Sequence, residues 1–153
     1  MSDTISNAKG LEGIKMKKYK VGYTAGTFDM FHIGHLNVLR NAKSICDFLI
    51  VAVSTDELVK DYKHHETVIP FEDRVKIVEA IKYVDKVVPQ TSMNKLQAAK
   101  DNNIDVMIVG DDWKGTDKWN QYEQQLKGIG VTVEYMPHTD GISSTMLREK
   151  MKL

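Results

Sequence analysis

The sequence predicts an α/β domain in which a parallel sheet carries helices on both faces. Its 153 residues, 42% apolar and 27% charged, suit one globular domain with a substantial core. Short apolar runs alternate with segments of helical periodicity along most of the chain, which is typical of parallel sheets. Two of these runs, 48–53 and 105–109, are almost continuously apolar, as in strands that helices cover on both sides.

The chain order of the elements follows from local patterns. Residues 1–16 are polar and aperiodic, and we expect a disordered arm ahead of a domain that spans 17–153. The first strand is predicted over 19–25, and a helix over 35–44 because its apolar residues share one face. Later helices are predicted over 71–83, 94–102 and 143–151, and further strands over 86–88 and 131–136.

Composition excludes several classes of protein. The 21 Lys and Arg residues balance 21 Asp and Glu residues, so net charge does not favour nucleic acid or a membrane as partner. A single cysteine, Cys46, excludes an internal disulfide and a multi-cysteine zinc site. No apolar run approaches the roughly 20 residues that span a bilayer, and the polar N-terminus lacks a hydrophobic signal core. We therefore expect a soluble, cytoplasmic domain.

Polar residues follow four of the predicted strands. The carboxyl ends of parallel strands form one edge of a sheet, and ligands bind beyond that edge, near the point where the strand order reverses. The polar segments are 26–29, 54–57, 110–113 and 137–140. We expect the functional site to be built from them.

The most informative segment is Gly-Thr-Phe-Asp-Met-Phe-His-Ile-Gly-His, residues 26–35, which joins the first strand to the first helix. His32 and His35 are three residues apart and share a face at the helix start. Free amides there attract phosphate, the imidazoles add donors, and Gly34 leaves room for a ligand to approach the backbone. A zinc site is disfavoured because no third ligand follows at suitable spacing. The chain also contains no Gly-Lys-Ser/Thr phosphate loop.

Two further segments predict nucleotide contacts. Residues 138–145, His-Thr-Asp-Gly-Ile-Ser-Ser-Thr, run into the last helix, where hydroxyl groups serve either as N-caps or as ligands of a triphosphate. Gly-Asp-Asp-Trp at 110–113 follows a buried strand. There Asp112 suits hydrogen bonding to a base or ribose, and Trp113 either walls a pocket or packs in the core.

The segment Gly-Thr-Phe-Asp-x-Phe-His-x-Gly-His, with its HxGH motif, resembles the first signature of the cytidylyltransferase-like nucleotidyltransferases. Residues 138–145 are similar to the second signature of that family, Arg-Thr-Glu-Gly-Ile-Ser-Thr. Gly-Asp-Asp-Trp, Val-Ser-Thr-Asp-Glu at 53–57 and Lys-Tyr-Val-Asp at 82–85 are similar to its bacterial glycerol-3-phosphate branch. The resemblance runs from about Lys18 to the C-terminus and implies a single Rossmann-like domain.

The resemblance implies roles for individual residues. The catalytic residues would be His32, His35, Lys63 and Lys82. The nucleotide would contact Thr27, Phe28, Gly34, Asp112, His138, Thr139, Gly141, Ile142, Ser143, Ser144 and Thr145. The acceptor substrate would bind Lys63, with Lys60 as a rival in the same loop, and Lys95; no residue is expected to ligate a metal directly. Two family arginines are replaced, by His138 and Lys82, and neither replacement offers the planar fork of a guanidinium.

The implied activity is transfer of CMP from CTP to glycerol 3-phosphate or a close polyol phosphate, with Mg²⁺ bound mainly through the triphosphate. The products would be CDP-glycerol and pyrophosphate, and in the family such products feed teichoic-acid or capsule-type polymers. The resemblance also implies a homodimer. Alternatives in the same class are phosphocholine or phosphoethanolamine cytidylyltransferase, heptose-phosphate adenylyltransferase and FAD synthetase. From a different class, a nucleotide-binding module without turnover remains an alternative.

Overall fold

Strands and helices alternate along the chain, as the sequence predicts. The computed structural model describes residues 17–139 and 141–152, so the predicted arm at 1–16 lies outside the described residues. The strands are β1 (Tyr19–Gly26), β2 (Cys46–Ser54), β3 (Lys86–Gln90), β4 (Val106–Gly110) and β5 (Thr132–Met136). The helices are α1 (Ile33–Lys43), α2 (Asp56–Lys63), α3 (Phe71–Glu79), α4 (Lys95–Asn102), α5 (Asp117–Lys127) and α6 (Ser144–Met151), with a short 3₁₀ helix at Asp111–Trp113.

The five strands form one parallel sheet in the order β3-β2-β1-β4-β5. The chain builds outward from β1 to β2 and β3, then crosses back to place β4 and β5 on the other side of β1. The strand order therefore reverses between β1 and β4, and the carboxyl ends of these two strands mark the place where such sheets bind ligands.

Apolar helix faces cover both sides of the sheet, which confirms the predicted fold class. On one side, Leu39 of α1 and Val78 of α3 are buried against the strands. On the other side, Ala99 of α4 pairs with Trp119 and Leu126 of α5. Within the described ranges, no helix combines the length and apolar character needed to cross a membrane.

The sequence patterns did not predict α2 or α5. Helix α2 buries only two adjacent residues, Leu58 and Val59, which give no helical period, and it begins where the Thr55 hydroxyl accepts a hydrogen bond from the Leu58 amide. Helix α5 is mostly polar, but its apolar Trp119, Tyr122 and Leu126 recur at helical spacing. The signal for α5 was therefore present, although weak, whereas α2 depends on its cap and on tertiary packing.

Candidate active site

A cleft of about 700 Å³ opens at the carboxyl ends of β1 and β4, and this volume suits a nucleotide-sized ligand. Its walls include the loop after β1, the starts of α1 and α6, the end of α2 and the residues that follow β4 and β5. Most predicted site residues line it: Thr27, Phe28, His32, Gly34, His35, Lys63, Lys95, Asp112, His138, Thr139, Ile142, Ser143, Ser144 and Thr145. Among the described candidates, Lys60, Lys82 and Gly141 do not line it.

The two histidines at the start of α1 are held by backbone hydrogen bonds. The His32 Nδ1 accepts from the Gly34 amide at 3.1 Å, and the His35 Nδ1 accepts from the His32 amide at 3.2 Å. Because each Nδ1 acts as an acceptor, the proton of each neutral ring lies on Nε2. The rings stack with their centroids 3.8 Å apart. The buried His32 Nε2 has no partner among the described residues, although its ring lines the cleft.

Gly34 makes room for the His32 ring. A Cβ at position 34 would lie 2.9 Å from the His32 Cε1 atom, closer than carbon atoms approach without displacement. The sequence suggested that this glycine gives a ligand access to the backbone. The structure shows that the space beside this glycine is occupied by the neighbouring His32 imidazole.

Burial keeps both histidines neutral. It lowers the pKa of His32, and it lowers the pKa of His35 to about 3, where the nearby His32 and Lys63 add to the effect and Asp29 opposes it. At neutral pH the two rings are therefore hydrogen-bond donors and carry no positive charge.

Phe28 supports this pair from the core. Its side chain is 5% exposed, and its ring packs against His35 with centroids 5.4 Å apart. Its backbone φ of 55° is in the left-handed region that favours glycine, so the loop after β1 is strained at this point. The ring positions His35, while a direct nucleotide contact by Phe28 stays a prediction.

Asp29 ties three segments of the cleft together. Its buried carboxylate accepts hydrogen bonds from the amides of Val68 and Ile69, both at 2.8 Å, and from Arg148 of α6 at 3.1 Å. Burial alone would raise the pKa of Asp29, but these donors hold it below its ordinary value. The Ser144 hydroxyl also donates to the Asp29 carbonyl at 2.7 Å. Asp29 therefore organises the loop and is already occupied by these donors, which does not suit a general base.

The hydroxyl groups at the start of α6 have different partners. Ser143 is the N-cap, and its Oγ accepts from the Met146 amide at 3.0 Å. The Thr139 hydroxyl accepts from the Asn37 side chain at 2.8 Å, which joins α1 to the loop between β5 and α6. Thr145 is exposed along the cleft. The predicted capping role is therefore met by Ser143, whereas a contact of these hydroxyl groups with a triphosphate stays a prediction.

Two of the four candidate lysines reach the cleft. The exposed Lys63 donates to the Thr27 hydroxyl at 3.3 Å. Lys95 is only 7% exposed, and burial, reinforced by the charge of Lys118, lowers its pKa to about 8. Lys82 instead lies on the turn that follows α3, with its ammonium 5.3 Å from the Tyr83 ring centroid. The structure does not support Lys82 as a catalytic residue at the cleft of its own chain, because α3 ends before it and leaves it exposed on this turn.

Three exposed side chains beside the cleft form a group that could hold a metal ion. The ligand atoms of Asp111, Asp112 and His138 lie within 4.8 Å of one another. The His138 Nδ1 is 3.3 Å from a carboxylate oxygen of each aspartate. The sequence did not predict this grouping, since the residues follow two different strands that become neighbours only in the sheet.

Two arginines near the cleft were also missed. Arg148 lines the cleft, and its Nε is buried without a partner among the described residues. Arg148 follows Ser144 by four residues, which places both side chains on one face of α6. This spacing could have indicated Arg148 as a site residue from the sequence. Arg74 of α3 is 1% exposed and donates to the carbonyl oxygens of Thr27 and Ser54 at 2.7 and 2.8 Å. Its position in α3 gave no sign that it would be buried.

Comparisons with known proteins agree with this architecture. A family model described as Cytidylyltransferase-like matches residues 23–150. The glycerol-3-phosphate cytidylyltransferase of Bacillus subtilis (strain 168) is 42% identical over 131 residues, which cover 84% of this chain and 94% of that protein. Its namesake from Staphylococcus aureus (strain NCTC 8325 / PS 47) is 34% identical, covering 84% and 92%. A lipopolysaccharide core biosynthesis protein from Thermoplasma volcanium GSS1 has the same fold, with a TM-score of 0.66 at 20% identity over 79% of this chain and 97% of that one.

Proposed function

This chain belongs to the cytidylyltransferase-like family, and we propose that it transfers CMP from CTP to glycerol 3-phosphate. The observation that carries the proposal is the convergence of the His32–His35 pair and the start of α6 on one cleft. The 42% identity with a glycerol-3-phosphate cytidylyltransferase, over 94% of that protein, supports the choice of acceptor.

The chemistry needs alignment and charge stabilisation more than a base. An oxygen of the acceptor phosphate attacks the α-phosphorus of CTP and forms a P–O bond. The bond to the bridging oxygen breaks, and its electron pair leaves with pyrophosphate. A phosphate monoester has a second pKa near about 6, so at pH 7 the nucleophile is already largely a dianion. The neutral histidines of the cleft suit this reaction because nothing has to remove a proton.

We expect the residues of the cleft to divide between the two substrates. His32 and His35 donate hydrogen bonds from their Nε2–H groups to the triphosphate. The free amides at the start of α6, around Ser144, donate to it as well. Lys63 and Lys95 bind the acceptor phosphate through their positively charged ammonium groups. Donors fixed in this way need no reorganisation as negative charge moves toward the leaving group.

We expect Mg²⁺ to bind mainly through the triphosphate, where it neutralises phosphate charge. Carboxylate oxygens are suitable ligands for this ion, and Asp111 and Asp112 offer them beside the cleft. This chain's own contribution there is to place two carboxylates and the His138 imidazole at the end of neighbouring strands.

The proposal includes a homodimer in the cytoplasm, where CTP is available. A catalytic role for Lys82 would require a second copy of the chain, because Lys82 does not reach its own cleft. The product, CDP-glycerol, would then supply a polymer of the teichoic-acid or capsule type.

Pyrophosphate release tests the proposed function. CTP and ATP are each combined with glycerol 3-phosphate, phosphocholine, phosphoethanolamine, heptose 1-phosphate and FMN, with Mg²⁺ present. We expect turnover with CTP and glycerol 3-phosphate only. Turnover with a different pair would assign another reaction of the same class. CTP binding without turnover in any combination would indicate a nucleotide-binding module and refute an enzymatic role.

A further inference from the structure

A chain of buried side chains connects the ends of β2 and β3 to the cleft. The Gln90 side-chain amide donates to the Ser54 hydroxyl at 2.8 Å, and the Lys95 ammonium donates to the Gln90 Oε1 at 2.9 Å. Ser54, Gln90 and Lys95 are 0%, 6% and 7% exposed. An ammonium only donates, so the Gln90 oxygen must face it, and the amide nitrogen is left to donate to the Ser54 hydroxyl.

The Lys95 charge has no carboxylate to balance it among the described residues. Its hydrogen-bond acceptor, Gln90, is neutral, and the charged group that acts on it is another cation, Lys118 of α5. Tyr122, also on α5, donates its hydroxyl to the Met93 carbonyl. Burying a cation without an anion is unfavourable. A charge maintained in this way at the wall of a binding cleft suits an anionic ligand.

We propose that Gln90 is a positioning residue that holds the Lys95 ammonium toward the cleft, with its charge uncompensated, for the phosphate of the acceptor substrate. The identity of that acceptor rests on the proposed function. A glutamate at position 90 would have the same shape but would pair with the ammonium. Gln90 therefore leaves the positive charge of Lys95 uncompensated and available to the substrate, which a carboxylate would not.

The Gln90→Glu variant tests this role, with Gln125→Glu as the matched control. Gln125 is an exposed residue of α5 that does not line the cleft, so the control carries the same change of charge elsewhere. The Ser54 hydroxyl can rotate to donate to a glutamate oxygen, so we expect the fold to persist. Thermal melting of both variants checks this.

Steady-state kinetics over pH 6.5–9.5 give the first measurement. In Gln90→Glu we expect the KM for glycerol 3-phosphate to rise about tenfold, as for the loss of one charged hydrogen bond. The KM for CTP should stay within about twofold, and Gln125→Glu should match the wild type. The alkaline limb of kcat/KM for the acceptor should move to higher pH, because a carboxylate raises the pKa of Lys95 from about 8. An unchanged KM for the acceptor, or an equal rise for both substrates with an unmoved limb, would overturn the proposal.

A second measurement separates this inference from the proposed function. The ¹³Cε resonance of Lys95, assigned by its absence in Lys95→Arg, is titrated by NMR without substrates. We expect a higher pKa in Gln90→Glu than in the wild type, whatever reaction the enzyme catalyses. Equal titration curves would overturn the role of Gln90, whereas absence of turnover with glycerol 3-phosphate in the wild type would overturn only the acceptor.

Discussion

Replacement of Arg74 by methionine should destabilise the protein severely, because Arg74 joins the loop after β1, the end of β2 and the loop before α3. Its guanidinium donates to the carbonyl oxygens of Thr27, Ser54 and Ile69 at 2.7, 2.8 and 2.8 Å. It also pairs with the Asp56 carboxylate at 2.6 Å. The side chain is 1% exposed, so water cannot replace these bonds without opening the structure.

The magnitude follows from what methionine leaves behind. It preserves the aliphatic stem but leaves three carbonyl groups without this donor. Asp56 loses its ion pair with Arg74, although its carboxylate keeps hydrogen bonds from Thr67 and Phe71. Each buried acceptor left without its donor costs about 1–3 kcal/mol, so we expect a total loss of at least about 3 kcal/mol. That is a large fraction of a total stability of about 5–15 kcal/mol. Arg74→Lys keeps a charge and some donors but not the planar fork, so we expect a loss of about 2 kcal/mol.

Equilibrium unfolding in urea measures both losses, with fluorescence of the buried Trp119 as the signal. The control is Arg40→Met on the exposed surface of α1, which should cost less than about 0.5 kcal/mol. A loss below about 1 kcal/mol in Arg74→Met would refute the reasoning. If that variant does not fold, the unfolding free energy of Arg74→Lys still has to be clearly lower than that of the control.

Three further predictions concern the histidine pair. His35→Ala should lower kcat by about 10²–10³-fold in a protein with an unchanged circular dichroism spectrum, because a fixed donor to the triphosphate is lost; an unchanged kcat would contradict its role. When both effects are expressed as free energies, Gly34→Ala should lower kcat by more than it lowers the stability of the fold. The reason is that its Cβ would lie 2.9 Å from the His32 Cε1 atom and would displace that ring. A crystal structure of the variant with the His32 ring unmoved would contradict this explanation. The unfolding free energy should fall as pH is lowered from about 6.5 toward 3, because the unfolded His35 takes up a proton in that range while the folded residue, with a pKa of about 3, does not. Urea midpoints between pH 7 and 4 test this, and His35→Ala should show a shallower fall; equal slopes would exclude His35 as the source.

The sequence anticipated the sheet and most of its helices because their signals are local. The continuous apolar runs that became β2 and β4 required burial on both faces, and the periodic residues of α1 required one buried face. Helix α2 escaped prediction because its two buried residues are adjacent in the chain and its start depends on a single cap at Thr55.

The histidine motif predicted a site at the end of β1 from its spacing and its place after a strand, and both rings line the cleft there. The protonation state of the two rings could not be predicted from the sequence. It depends on burial and on the stacking of His32 on His35, which are properties of the folded loop.

By itself, the sequence determined the α/β class, the edge of the sheet where the cleft lies, and two segments, 26–35 and 138–145, most of whose described candidate residues line that cleft. Only the tertiary structure decided which charged residues join them. It brought Arg148 and the Gln90–Lys95 pair to the cleft, grouped His138 with two aspartates, and left Lys82 outside. The physical reason is the range of each effect. Periodicity and capping act over one or two turns of chain, whereas contacts between residues far apart in the chain depend on strand order and helix packing, which no local pattern records.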